Sequence, residues 1–386
     1  MRYGIWLYPW DLLDFGPDRV VDELRQANIV DVCLAVSYHS IRALLPDNPR
    51  RKMFHAREAG VYFEPRQELW AAAGFEPRVA PMVVDAGDAL AALGTATSGG
   101  PLRLVGWTVC LHDSGLPVRE PDLAALDIWG SQSATSVCLA NPRTRQYAST
   151  LVADVAPRVD AVQLEAAHWL APHAVHLKTD TTQPHVFRRL SALCVCEHCM
   201  RGVEAERGDP QRLQADLAQL ASRVLAEVDS DPVAESDVDS YFSDAVRDSA
   251  AFQRARTNTV NSLVADLQGA AGRKPIEFLS YSDRHLAGVD LRNLERLGVD
   301  VRLLAYGSPA AVSSSLANLR AAADAPTRFG VGLSALPSDA RDADALRAAR
   351  DAAIAGGAAS ITYYNYGLLT AQRRGWLREL LAESPA

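Results

Sequence analysis

The sequence predicts an α/β protein, a single (β/α)8 (TIM) barrel, on three observations. Eight short runs rich in β-branched and aromatic residues recur along it, amphipathic stretches of helical period lie between them, and 386 residues suffice for one barrel with elaborated loops. The first run is Gly4–Pro9, followed by a helix over Pro17–Ile29 that turns Val20, Val21 and Leu24 to one face. The second is Asp31–His39 and the third Leu104–Asp113; a helix over Arg143–Val159 then leads into the fourth, Ala161–Trp169. Pro275–Ser282, Asp300–Gly307, Arg328–Leu336 and Ser360–Gly367 complete the set, with helices over Pro309–Ala323 and Ala340–Ala355. Strand and helix in alternation imply a parallel sheet, and eight such strands close on themselves. One domain therefore spans 1–386. Residues 40–103 and 170–274 are too long for single crossovers and read as insertions after strands two and four, where barrel enzymes shape their substrate sites. The second insertion carries a long helical region near 209–269, interrupted by an acidic loop over Asp229–Asp239.

Composition narrows the function. Hydrophobic residues make up 48% of the chain and charged ones 22%, so a large core can form. A net charge of -8 without a Lys/Arg cluster argues against nucleic acid and anionic membranes as partners, since both need a positive surface. No apolar run approaches membrane-spanning length, and Tyr3 already enters a strand without a signal-peptide pattern, so the expected location is the cytoplasm.

Three of the six cysteines crowd into Cys194-Val-Cys196-Glu-His-Cys199, a spacing that lets thiolates converge on one tetrahedral ion. Cys33 and Cys110 fall inside strand patterns, whereas Cys138 lies just before the helix leading into strand four and is the favoured fourth ligand. His198 competes, although its place between Cys196 and Cys199 suits solvent better.

With Cys138-Leu-Ala-Asn141-Pro142, then Glu165 at the end of strand four, then Cys194, Cys196 and Cys199, the chain resembles the zinc-containing β-galactosidases of glycoside hydrolase family 42 over roughly residues 104–200. The resemblance implies a structural Zn2+ held by the four cysteines, with no open position for water or substrate, and Glu165 as general acid/base. It also implies a carbohydrate or glycoside substrate, and it leaves room for a homo-oligomer. Leu164 stands where the family has Asn, and the seventh strand, Phe329 to Leu336, ends without the family's second Glu.

The second carboxylate is left open between Asp283 after strand five and Asp113 after strand three, either of which could serve an inverting reaction if it faces Glu165 across a water. Asp11 follows strand one, Asp339 lies beyond strand seven, and Glu277, early in its strand, reads as a bottom-layer residue. Rings with polar edges gather at the strand ends, and the expected substrate contacts are Trp6, Tyr8, Tyr38, His39, Trp107, His112, His168, Tyr281, Tyr306 and Tyr364. Two other readings share this mouth. His39, His112, His168, His173 and His176 with Glu165 and Asp113 could hold a catalytic metal in an isomerase, lyase or hydrolase, or the barrel could bind a saccharide without turning it over.

Overall fold

The computed structural model describes residues 1–170, 181–228, 231–281, 284–322 and 325–383. Eight parallel strands form its centre: β1 (Arg2–Leu7), β2 (Asp31–Tyr38), β3 (Arg103–Val109), β4 (Ala161–Glu165), β5 (Ile276–Ser280), β6 (Asp300–Leu304), β7 (Phe329–Ser334) and β8 (Ser360–Tyr364). They pair in chain order, and β1 pairs with both β2 and β8, so the sheet closes into a barrel.

Alternation along each strand sorts the apolar residues into two cores. Ile5, Val32, Leu104, Val162, Phe278, Val331 and Ile361 face outward into the helix layer. Trp6, Cys33, Val105, Ala161 and Leu279 face inward and belong to a separate interior cluster. Strands covered on both faces read as nearly continuous hydrophobic runs, which is why they stand out in the sequence. Each large apolar side chain so buried contributes about 1.5–3 kcal/mol.

Trp6 occupies the barrel interior because β7 carries glycine opposite it. A Cβ at Gly332 would lie 2.8 Å from the Trp6 ring and 2.7 Å from Leu304. Below the indole, the N-terminal end of the barrel holds an ion network. Arg103 bridges Glu277 at 3.1 Å and Asp31 at 3.3 Å, Arg302 reaches Glu277 at 3.2 Å, and Arg2 reaches Asp31 at 2.9 Å. Burial alone would raise the Glu277 pKa, but the guanidiniums of Arg302 and Arg103 outweigh it and hold it at about 2. Glu277 is thus the bottom-layer residue its position suggested.

Strand bounds differ from expectation by a few residues. Pro9, expected to end the first strand, instead opens a helix, Pro9–Phe15, because its missing N–H costs nothing at a first helical turn. Two antiparallel ribbons were not foreseen: Ile41–Leu44 with Met53–Ala56 between β2 and β3, and Ala124–Leu126 with Gln132–Val137 between β3 and β4. The long helical region after β4 resolves into Pro210–Leu225, Val238–Ala245 and Ser249–Ala271; the acidic stretch, described from Asp231 on, passes through a 3-10 turn, Glu235–Asp237, and runs into the second of these helices. No helix among the described residues is long and apolar enough to cross a membrane.

Candidate active site

Inward alternation on β4 sends Ala161, Gln163 and Glu165 into the barrel, and parallel strand direction places Glu165 at the C-terminal mouth. Ala166 follows with φ of 54°, a left-handed turn that takes the chain sharply off the strand. The register Val109↔Glu165 brings β3 alongside, and Trp107 donates its indole N–H to Glu165 Oε2 at 2.5 Å. From the end of β5, the Tyr281 hydroxyl donates to Oε1 at 3.0 Å. Burial raises the pKa of Glu165; the Trp107 bond, the His39 charge and the Tyr281 bond all favour the carboxylate but do not cancel it. The result is an acid stabilised toward its neutral form at the mouth of a barrel.

The layer beneath steadies this group. Trp6 donates to Gln163 Oε1 at 2.6 Å, and Gln163 donates onward to Glu277 Oε2 at 3.1 Å, so the inner face of β4 is hydrogen-bonded from mouth to base. Gln163 was not singled out in the sequence; its place two residues before Glu165 on the same face was the available signal.

The structure divides the ten expected contact residues. Trp6 and Tyr8 are fully buried, as are Tyr38, Trp107 and His168 to within a few per cent. Tyr8 sits under a roof: Phe54 of the first ribbon stacks on Trp10 at 3.9 Å, and Trp10 stacks on Tyr8 at 4.4 Å. The Tyr8 hydroxyl meets those of Tyr38 at 3.0 Å and Tyr364 at 2.6 Å, and burial raises all three phenol pKa values. Trp10, Tyr8 and Tyr38 support the mouth rather than line its open side. Tyr281 and Tyr306 are 39% and 38% exposed, while Tyr364, His39 and His112 are partly so. Tyr306 packs on Tyr364 at 5.5 Å and feels the charges of both Glu165 and Asp339.

His39 and His112 stack at 4.4 Å, and burial together with the neighbouring His39 lowers the His112 pKa to about 4. His168 turns its Nδ1 to the Trp169 carbonyl at 3.0 Å and its ring edge-on to Tyr281 at 5.5 Å. Among the described residues, the only cluster of metal-ligating side chains is the cysteine set, and His39, His112 and His168 belong to no such cluster. His173 and His176 lie outside the described residues, as does Asp283. Asp113 accepts the backbone N–H groups of Gly115 and Leu116, both at 2.7 Å, which gives it the loop-capping role common for Asp at such junctions. Asp11 is the unforeseen feature among the acids. It is wholly buried beside Gly367, with neither oxygen in a hydrogen bond of good geometry, and burial followed by the Asp14 charge raises its pKa from 3.8 to about 8.

The four cysteines converge as their spacing indicated. Cys138 follows the strand Gln132–Val137, and Asn141 caps the helix Pro142–Val155 behind it by accepting the Arg143 N–H. Cys196 stands at the cap of the helix Glu197–Ala205, and Cys199 lies in its first turn. The second ribbon pins the loop: Leu126 donates its N–H to Cys194 Sγ at 3.3 Å and accepts from Val195 at 2.8 Å. Cys138 Sγ lies 3.4 Å from Cys196 and 3.6 Å from Cys199, with 3.8 Å between the latter two, and all four ligand atoms fall within 4.8 Å of one another. Thiolates at about 2.3 Å from a tetrahedral ion stand about 3.8 Å apart, so the set fits a metal. His198 is outside it, hydrogen-bonded to Arg201. Cys33 and Cys110 are buried in the barrel wall.

No protein-family model and no curated protein matches this sequence. Among solved structures, the β-galactosidase of the psychrophilic Marinomonas ef1 superposes with a TM-score of 0.59 at 12% identity, over 99% of this chain and 59% of that one. The β-galactosidase of Bacillus circulans sp. alkalophilus gives 0.57 at 13%, over 99% and 55%, and that of Halorubrum lacusprofundi 0.59 at 14%, over 99% and 58%. The chain therefore spans less than two thirds of the length of these proteins, and at such identities the likeness is one of fold.

Proposed function

We propose that this chain is a glycoside hydrolase-like enzyme acting on a carbohydrate or glycoside, with Glu165 as general acid/base and the four cysteines holding a structural zinc. The observation that carries the reading is the setting of Glu165. A mouth carboxylate held between an indole N–H and a phenol, yet raised in pKa by burial, is suited to keep a proton and deliver it to a departing glycosidic oxygen. Shared fold with three β-galactosidases supports it at the level of architecture.

Tyr281, Tyr306 and Tyr364, with His39 and His112, form the exposed rim that would meet the sugar, and a flat phenol can stack on its apolar face. Tyr281 has two tasks: it holds Oε1 of Glu165 and must yield that oxygen when the leaving group arrives. Asp113 is occupied by two backbone amides, so Asp283, immediately after β5, is the second carboxylate we retain. Zinc, when bound, would tie the loop carrying Cys194 to the second ribbon without touching substrate.

A saccharide-binding barrel without turnover is the second reading, favoured because the seventh strand, Phe329–Ser334, ends without a carboxylate. A panel of nitrophenyl glycosides separates the two. Turnover that falls by about 10²–10⁴-fold in Glu165→Gln supports the acid; turnover unaffected by that change removes Glu165 from the mechanism. Saccharide binding without turnover of any glycoside favours the silent barrel.

A further inference from the structure

Among the described residues, the buried guanidinium of Arg256 has no carboxylate to answer it. Arg256, in the helix Ser249–Ala271, is 3% exposed, and its Nη1 has no hydrogen-bond partner. Its Nη2 meets only the Leu286 carbonyl, at 2.5 Å, and among the described residues it makes no salt bridge. The rings of Trp169 at 4.9 Å and Phe252 at 5.7 Å offset only part of the several kcal/mol that burying a charge costs, so a partner of opposite sign is called for. The groups packed near it supply one candidate. The helix carrying Cys196 and Cys199 lies against the Arg256 helix, where a Cβ on Gly202 would sit 3.4 Å from that of Ala255. Cys199 is one turn before Gly202 on the same face. The charges acting on Arg256 are Arg189, of like sign and itself paired with Asp239 at 3.0 Å, and then the thiols of Cys199, Cys194 and Cys138. Four thiolates around a divalent ion carry a net charge of about -2, which no neutral set of thiols would supply.

We infer that Arg256 is the counter-charge of a metal-loaded Cys138/Cys194/Cys196/Cys199 centre and, through Trp169, the positioning residue that ties this centre to the loop leaving Glu165. This rests on the metal reading above and extends it to a residue outside the ligand set. Trp169 is held from two sides by Arg256: the guanidinium stands 4.9 Å over its ring, and the Arg256 carbonyl accepts its indole N–H at 3.1 Å. Gly288 permits this closeness, since a Cβ there would be 2.8 Å from the Trp169 ring and 3.3 Å from the Arg256 backbone. From Trp169 the contacts continue to His168 through its carbonyl, from His168 to the Tyr281 ring, and from the Tyr281 hydroxyl to Glu165. The metal would thus bear on the acid without touching it.

The test is metal affinity, which does not depend on any glycoside. Zn2+ and Co2+ are titrated into the reduced, metal-free full chain against a chromophoric chelator, with the cobalt–thiolate absorption as a spectroscopic check, for wild type, Arg256→Met, Arg256→Gln and Arg256→Lys. The neutral variants are expected to bind about 10–100-fold more weakly, as loss of an outer partner does at other metal sites, while Arg256→Lys keeps most of the affinity. Metal-free Arg256→Met should melt no lower than the metal-free wild type, because the uncompensated charge is gone. Unchanged affinity in both neutral variants overturns the inference, as does an Arg256→Lys protein as weak as they are, which would make the role one of shape. Wild type that takes up no metal overturns the metal reading itself.

Discussion

Asp11 makes stability depend on pH in a direction opposite to most acids, and Asp11→Asn exposes it. Its carboxyl is wholly buried between the helix Pro9–Phe15 and Gly367, and burial with the Asp14 charge raises its pKa from 3.8 to about 8. In the unfolded chain the group ionises near pH 4; in the folded chain it stays neutral to about pH 8. Across that window the folded state binds one proton more, so stability falls as pH rises, by about 1.4 kcal/mol per unit. The contribution is whole below pH 4 and gone once pH passes about 8. From pH 5 to pH 8 the loss is on the order of 4 kcal/mol if Asp11 alone is responsible. Asn matches the neutral acid in shape and does not titrate. Urea unfolding of both proteins at pH 5, 6, 7, 8 and 9 should show similar stabilities at the acid end and a gap opening in favour of Asp11→Asn toward pH 8. Above that the gap should level off. A difference constant with pH to within about 1 kcal/mol would refute the reasoning, since it would mean Asp11 titrates alike in both states.

Two further outcomes follow from the same kind of argument. Trp107→Phe removes a donor that favours ionised Glu165, so the pKa should rise further and the alkaline limb of kcat/KM should move up by about one unit; an unmoved or lowered limb would contradict this role. Glu277→Gln leaves Arg302 buried without its anion and Arg103 with Asp31 alone, and denaturant unfolding should show a loss of about 3–5 kcal/mol, against which a loss below 1 kcal/mol would count.

Particular residues show how far the sequence could be read. The barrel was legible because strands covered on both faces carry dense apolar runs, as in Asp31–Tyr38, and local periodicity alone marks them. Pro9 was misplaced because a proline that ends a strand and one that opens a helix look alike without the next contact. The ribbon Gln132–Val137 was missed because its Gln-Ser-Ala-Thr-Ser stretch is polar and takes its strand form from pairing with Ala124–Leu126. The rings were over-read as a set. Tyr8 and Tyr281 occupy equivalent positions just past their strands, yet only the first is covered, by Trp10 and by Phe54, which the ribbon between β2 and β3 brings over it.

Sequence by itself determined the eight strands, the mouth position of Glu165 and the grouping of Cys194, Cys196 and Cys199, because each depends on short-range period or spacing, while Cys138 was marked by its place outside the strand patterns. Tertiary structure alone decided which rings are open to a ligand, that Asp113 closes a loop, that Asp11 is kept neutral and that Arg256 is buried without a carboxylate partner among the described residues. Those outcomes depend on burial and on charges brought together across long stretches of chain. Desolvation is a property of the whole surroundings of a group, so no local pattern of residues records it.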